Sequence, residues 1–111
     1  MRSVVTLSID IQLLKHSLEV TRRLLLRLQT LSQEYGFTYE IFLIHPVQDI
    51  IMGTADQTHQ ALQSVSPVPI WETAQLFAEN PVSYYYAYDG HLNVRGSAAI
   101  AQFLFSRENK N

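Results

Sequence analysis

Cysteine is absent from this 111-residue chain. That excludes disulfide frameworks, thiolate metal sites and cysteine nucleophiles, and it leaves the compartment open. Charge is sparse: Asp, Glu, Lys and Arg make up 16% of residues, below the roughly 25% of a typical globular chain. With 47% hydrophobic residues, that balance excludes an intrinsically disordered segment. Eight basic residues against ten acidic ones give a net charge of −2, so no basic footprint for nucleic acid exists. No apolar run approaches the ~18 residues of a membrane span. The opening Met1-Arg2-Ser3-Val4-Val5 lacks the apolar core of a signal peptide. Glycine and proline are few, four of each, and they punctuate the chain without marking a linker. There are no repeats and no low-complexity segment, so residues 1–111 read as a single domain.

What is present is a pattern of alternating helix and strand signals. From about Asp10 to Tyr35, apolar residues recur at Ile11, Leu14, Leu18, Leu25 and Leu28, with Leu24 and Leu31 beside them. Spacings of three, four and seven predict a long amphipathic helix. Ser8 or Asp10 is suited to cap its start, and Gly36 sits where a glycine ends a helix. Phe37–His45 is aromatic and β-branched and becomes continuously apolar at Ile41–Ile44. That predicts a central strand buried on both faces, as in a parallel sheet, ended by Pro46. Val4–Ile9 reads as the tail of a preceding strand or as a connector.

Gln48–Met52 reads as a helical turn closed by Gly53, and Ala55–Val65 as a short helix. The Ser66-Pro67-Val68-Pro69 break precedes a very short strand at Ile70-Trp71 and a short helix over Glu72–Glu79, with Leu76 and Phe77 inward. Ser83–Tyr88 reads as a strand-like aromatic stretch with alternating burial. Val94–Phe105 is a final helix capped by Asn93, with a frayed tail from Arg107. The long and the last helix are expected to pack on the sheet.

Chemistry concentrates at Tyr86-Ala87-Tyr88-Asp89-Gly90-His91-Leu92-Asn93. A carboxylate and an imidazole flank a glycine just before a helix. A turn there brings the carboxylate toward Nδ1–H, which fixes the tautomer and leaves Nε2 free as a base. Tyr86 and Tyr88 stand beside this pair as candidate substrate contacts. His45 reads as a hydrogen-bonded structural histidine. The spacing of His45, Asp49 and His59 matches no strong metal site, so no metal is expected.

Asp89-Gly90-His91-Leu92-Asn93-Val94-Arg95-Gly96, followed by the helix that holds Ile100-Ala101, resembles the C-terminal block of the SGNH (GDSL-like) hydrolase superfamily. The strand that ends at Pro46 and the Val68–Phe77 stretch are similar to upstream parts of the same domain. The commonest spacing in that superfamily is Asp-x-x-His. Here it is Asp-x-His, as in branches that resemble alginate O-acetyltransferases. None of the serines at 3, 8, 17, 32, 64, 66, 83, 97 and 106 follows a Gly-Asp pair, so the family's nucleophile block is not recognisable.

The resemblance implies an α/β fold, a partial SGNH or flavodoxin-like three-layer arrangement of a small parallel sheet and flanking helices. It implies the C-terminal portion of a serine esterase or O-acyltransferase, with His91 as general base and Asp89 orienting it. The substrate implied is an ester or an acylated carbohydrate, with no cofactor. Without a serine and oxyanion donors, the chain alone is expected to be inactive. A companion N-terminal chain or a homo-oligomer is expected to cover the open sheet edge. The competing expectation is a non-catalytic α/β remnant that serves association.

Overall fold

The structure is a computed structural model that describes residues 2–7 and 14–108. Ser8 and Asp10, the expected caps of the first helix, lie outside the described residues, as do Ile11 and the Leu14 side chain. The element order is β1 (Arg2–Leu7), α1 (Leu14–Tyr35), β2 (Thr38–Leu43), α2 (Val47–Ile51), α3 (Ala55–Gln63), β3 (Ile70–Glu72) and α4 (Val94–Glu108). The three strands form one sheet in the order β1-β2-β3, parallel throughout. The fold is α/β, with β2 in the centre. Val5 pairs with Ile41, and Ile41 with Ile70.

The continuous apolar run of β2 has the reason expected of it. Successive strand residues point to opposite faces, and both faces of β2 are covered. Ile41 and Leu43 pack with Leu25 of α1, Leu62 of α3 and Ile70 of β3. Phe42 points the other way and meets Phe103 of α4 edge-on, with ring centres 5.9 Å apart. All three β2 residues are buried. Helices therefore flank the sheet on both sides, with α1 and α3 on one and α4 on the other.

The helix signals were legible in part. Gly36 ends α1 in the left-handed region, at φ 70°, where its N–H reaches the Ser32 carbonyl at 2.9 Å. Leu25 and Leu18 face the core, whereas Leu24 is 65% exposed and turns away from the stripe expected to hold it. Its position, one residue before Leu25, places it about 100° round the helix. Arg22 and Arg23 both pair with Glu19 on the wet face. Val4–Ile9, read as a strand tail or a connector, is resolved in favour of a strand: β1 runs over Arg2–Leu7 and pairs along its length.

Three expectations need correction. Glu72–Glu79 is not a helix: Glu72 ends β3, and a single 3₁₀ turn covers Ala74–Leu76. The Glu72 carboxylate accepts the N–H groups of Thr73 and Ala74, which turns the chain there. Ser83–Tyr88 is not strand-like throughout. Pro81–Tyr84 forms a 3₁₀ turn, and only Tyr85 keeps a strand-like bridge, antiparallel to Leu92. The residues that follow this turn alternate poorly: Tyr85 is buried, while Tyr86 and Tyr88 are both exposed. Arg107 is not part of a frayed tail. Its guanidinium bonds Glu40 at 2.7 Å and stacks on the Trp71 ring at 3.5 Å, which ties the end of α4 to the sheet.

β3 is an edge strand whose outer backbone is closed by side chains. Gln63 accepts the Ile70 N–H at 2.7 Å, and the His59 ring bonds the Ile70 carbonyl at 2.6 Å. Gln75 donates to the Glu72 carbonyl. Side-chain partners of this kind remove an edge from further pairing. Among the described residues, no strand pairs with the outer side of β1.

Candidate functional site

The turn that carries Asp89, Gly90 and His91 is built by the backbone on each side of it. The Tyr86 N–H donates to the His91 carbonyl at 2.8 Å, and the Asn93 N–H to the Tyr84 carbonyl at 2.9 Å. Gly90 closes the turn at φ 72°, a conformation that favours glycine. Asn93 caps α4 as expected. Its side-chain oxygen accepts the Gly96 N–H at 2.9 Å, and its amide donates to the Ser83 carbonyl. Gly96 is buried against the same segment: a Cβ there would lie 2.2 Å from the Tyr84 carbonyl oxygen. A glycine is thus required there by contact.

The turn lies over the carboxyl end of β2. The position a Gly90 Cβ would occupy is 3.5 Å from Gln48 Oε1 and 3.9 Å from Val47 Cγ1. Tyr85, at the root of the turn, is buried and donates its hydroxyl to the His45 carbonyl at 2.8 Å. The crevice beyond the carboxyl ends of parallel strands is where α/β folds place ligands.

Within the turn, Asp89 Oδ1 accepts the His91 backbone N–H at 3.0 Å, and the same oxygen lies 3.5 Å from His91 Nδ1. The His91 amide, and after it the imidazole, hold Asp89 below the ordinary carboxylate range. Both side chains are open to solvent, His91 at 79% and Asp89 at 59%. The two sequence-derived residues are therefore adjacent, with Nδ1 the ring nitrogen nearer the carboxylate. Their contact is longer than the 2.7–3.2 Å of a formed hydrogen bond, and the Asp89 carboxylate is engaged first by backbone. Tyr86 lines a cleft of about 350 Å³ together with Val47, Gln48, Ile51, Val82, Tyr85 and Ala87. Tyr88 is fully exposed and does not line that cleft.

A second cluster lies just beneath, at the junction of β2, α2 and β3. His45 is 1% exposed. Its Nδ1 is 3.2 Å from Asp49 Oδ2, and its Nε2 is 2.6 Å from Glu72 Oε1. Asp49 also accepts the hydroxyls of Thr54 and Thr58 at 2.8 and 2.9 Å. Thr73 donates to the Leu43 carbonyl at 2.6 Å. His45 is the hydrogen-bonded structural histidine that the sequence suggested. The sequence signal was an isolated histidine at the end of a buried strand, with an aspartate four residues on. Glu72, 27 residues away, carried no such signal.

Burial alone would push the His45 pKa down, but the Glu72 and Asp49 carboxylates outweigh it and raise it above 6.5. Burial likewise pushes Glu72 up, and the His45 bond with the Ala74 and Thr73 amides outweighs that and lowers it below 4.5. The Tyr85 phenol is pushed up to about 12 by burial, with the Asp49 and Glu72 charges adding to it. The signs give opposite pH limits. The His45 contribution is complete below its unfolded pKa near 6.5 and is lost as pH rises through the raised folded value. The Glu72 contribution is complete above its unfolded pKa near 4.5 and is lost as pH falls through the lowered folded value. The urea midpoint is therefore expected to plateau between these two values and to fall on either side. A midpoint that rises steadily from pH 6 to pH 9 would contradict this charge assignment.

Among the described residues, no group of three or more His, Asp or Glu side chains is arranged to hold a metal ion. Nor is any described helix long and apolar enough to cross a membrane. His59 serves the β3 edge, and His16 is exposed on α1. No family model, no curated protein and no solved structure matches this chain.

Proposed function

We propose that this chain contributes the Asp–His arm of a serine ester hydrolase or O-acyltransferase site, as its resemblance to the C-terminal portion of SGNH hydrolases implies. The observation that carries the reading is the Asp89-Gly90-His91 turn, held over the carboxyl end of the central parallel strand and opening directly into α4. His91 Nδ1 faces Asp89, which leaves Nε2 directed away from it as the base. In such a site, Nε2 takes the proton of a serine hydroxyl while the serine oxygen bonds the ester carbonyl carbon. Asp89 stabilises the imidazolium. Collapse of the tetrahedral adduct breaks the bond to the alcohol, which leaves with the proton from Nε2. Water or a second alcohol then releases the acyl group by the same proton route. This chemistry needs neither metal nor organic cofactor.

The serine comes from outside the blocks legible here, from a partner chain or from upstream sequence. The high exposure of His91 supports this, because a base that already faced its nucleophile would be covered by it. Alone, the chain is expected to hydrolyse p-nitrophenyl butyrate no faster than free imidazole at the same concentration. Recovered from its source cell with the serine-bearing partner, the assembly is expected to react with a fluorophosphonate. The His91→Ala assembly is expected to react about 10³-fold more slowly or less. Labelling that ignores His91→Ala, or rapid turnover by the isolated chain, would contradict the reading.

A second reading, a non-catalytic association module, has one observation in its favour. α1 leaves Val20, Leu24 and Leu26 substantially exposed on the sheet's flank. A stable assembly in which His91→Ala changes nothing but is still held through α1 would favour it.

A further inference from the structure

The cleft beside the turn has walls that select among substrates. Val47, Ile51, Val82 and Ala87 are aliphatic, Tyr85 and Tyr86 are aromatic, and Gln48 carries a side-chain amide. Among the described residues, no Asp, Glu, Lys or Arg lines it. The nearest buried charges, His45, Asp49 and Glu72, are spent on one another. Tyr85 turns its hydroxyl away to the His45 carbonyl, so it offers the cleft its ring. Three large apolar side chains left open to solvent, Ile51 at 58%, Val82 at 68% and Tyr86 at 53%, meet at this one cleft. An isolated exposed apolar residue is ordinary, whereas a convergent set around a cavity marks a ligand surface.

Resting on the reading proposed above, we infer that this cleft seats a neutral acyl or alkyl chain several carbons long, so that the preferred ester is apolar and not an acetylated sugar. A volume of about 350 Å³ is at the lower end of small-molecule sites and far exceeds an acetyl methyl. An anionic group finds no cation there. A sugar finds too few polar partners for its hydroxyls, and each unpaired one costs affinity. Tyr86 and Ala87 join this wall directly to the turn that carries Asp89 and His91, so a chain in the cleft brings its ester carbonyl toward that turn. Gln48, at the Gly90 face of the cleft, offers a side-chain amide N–H to the ester oxygen.

The test is a titration of the isolated chain followed by methyl and backbone NMR, with methyl hexanoate, methyl acetate and N-acetylglucosamine as probes. Methyl hexanoate is expected to give saturable shifts at Val47, Ile51, Val82 and Ala87, at least ten-fold tighter than methyl acetate, and the sugar none there. Val82→Asp replaces an exposed side chain, so the fold is retained, and it is expected to weaken hexanoate binding ten-fold or more. His91→Ala is expected to leave binding unchanged. Preference for the sugar, shifts that do not saturate, or indifference to Val82→Asp would overturn the inference. So would shifts at these methyls that follow protein concentration instead of probe, which would make the patch a self-association face. Because binding is read without turnover, an inert His91 with an intact cleft refutes the catalytic reading alone. A labelled serine assembly with no hexanoate site refutes the substrate class alone.

Discussion

His45→Leu is expected to cost about 3–5 kcal/mol of stability at neutral pH. The leucine fills the space of the imidazole, so the loss comes from charge and not from a cavity. Asp49 and Glu72 are brought to the same ring at 3.2 and 2.6 Å. A neutral imidazole has one N–H and satisfies one carboxylate; only the imidazolium donates to both. With leucine there, two carboxylates lose their shared counter-charge in a poorly hydrated junction. The cost is expected to shrink as pH falls below the ordinary Glu72 value of 4.5 and the Glu72 carboxylate takes up its proton. Urea unfolding of both proteins at pH 7 and pH 4 measures it. An equal loss at the two pH values would assign the effect to packing. The double variant His45→Leu/Glu72→Gln is expected to recover part of the loss, because it removes one orphaned charge.

Gly96→Ala is expected to destabilise by about 3 kcal/mol, against the usual gain of about 1 kcal/mol for alanine over glycine inside a helix. The added methyl would lie 2.2 Å from the Tyr84 carbonyl oxygen and 2.8 Å from Leu92 Cδ2. The first of these is backbone, so it cannot rotate aside. α4 must shift away from the 3₁₀ turn at Pro81–Tyr84, which strains the Asn93 bonds to Ser83 and Tyr84 that shape the candidate site. Ser97→Ala, one residue on and exposed, is the control and is expected to stay within about 0.5 kcal/mol of the parent. Equal thermal midpoints for Gly96→Ala and Ser97→Ala would show that the close approach is not essential.

Much of the fold was legible because it rests on local rules. The three-and-four spacing around Leu18 and Leu25 gave α1, Gly36 and Gly53 gave two helix ends, and the unbroken Ile41–Ile44 run gave the central strand. What escaped was set by distance in sequence. Val4–Ile9 read equally as a strand tail or a connector, because what makes β1 a strand is its pairing with β2, across the whole of α1. The Glu72–Glu79 segment has helical spacing, but the Glu72 carboxylate takes the Thr73 and Ala74 amides and bends the chain into a single turn. The candidate site divides in the same way. The Asp-Gly-His turn and its Asn93 cap are contiguous and were found. The His45–Glu72 contact and the apolar cleft, which joins residues 47–51 to residues 82–87, depend on the folded chain. Of the two tyrosines singled out for their nearness to His91, Tyr86 lines the cleft and Tyr88, two residues on, is open to solvent.

The proposed function requires Asp89 to hold His91 in the tautomer a general base needs. Long-range ¹H–¹⁵N NMR of the neutral imidazole reads this directly in the wild-type chain and in Asp89→Asn. The expected result is a wild-type His91 that carries its proton on Nδ1 and reverts in Asp89→Asn to the Nε2–H form preferred by a free imidazole. Identical spectra for the two proteins, with the proton on Nε2 in both, would contradict the claim and leave Asp89 as the acceptor of a turn.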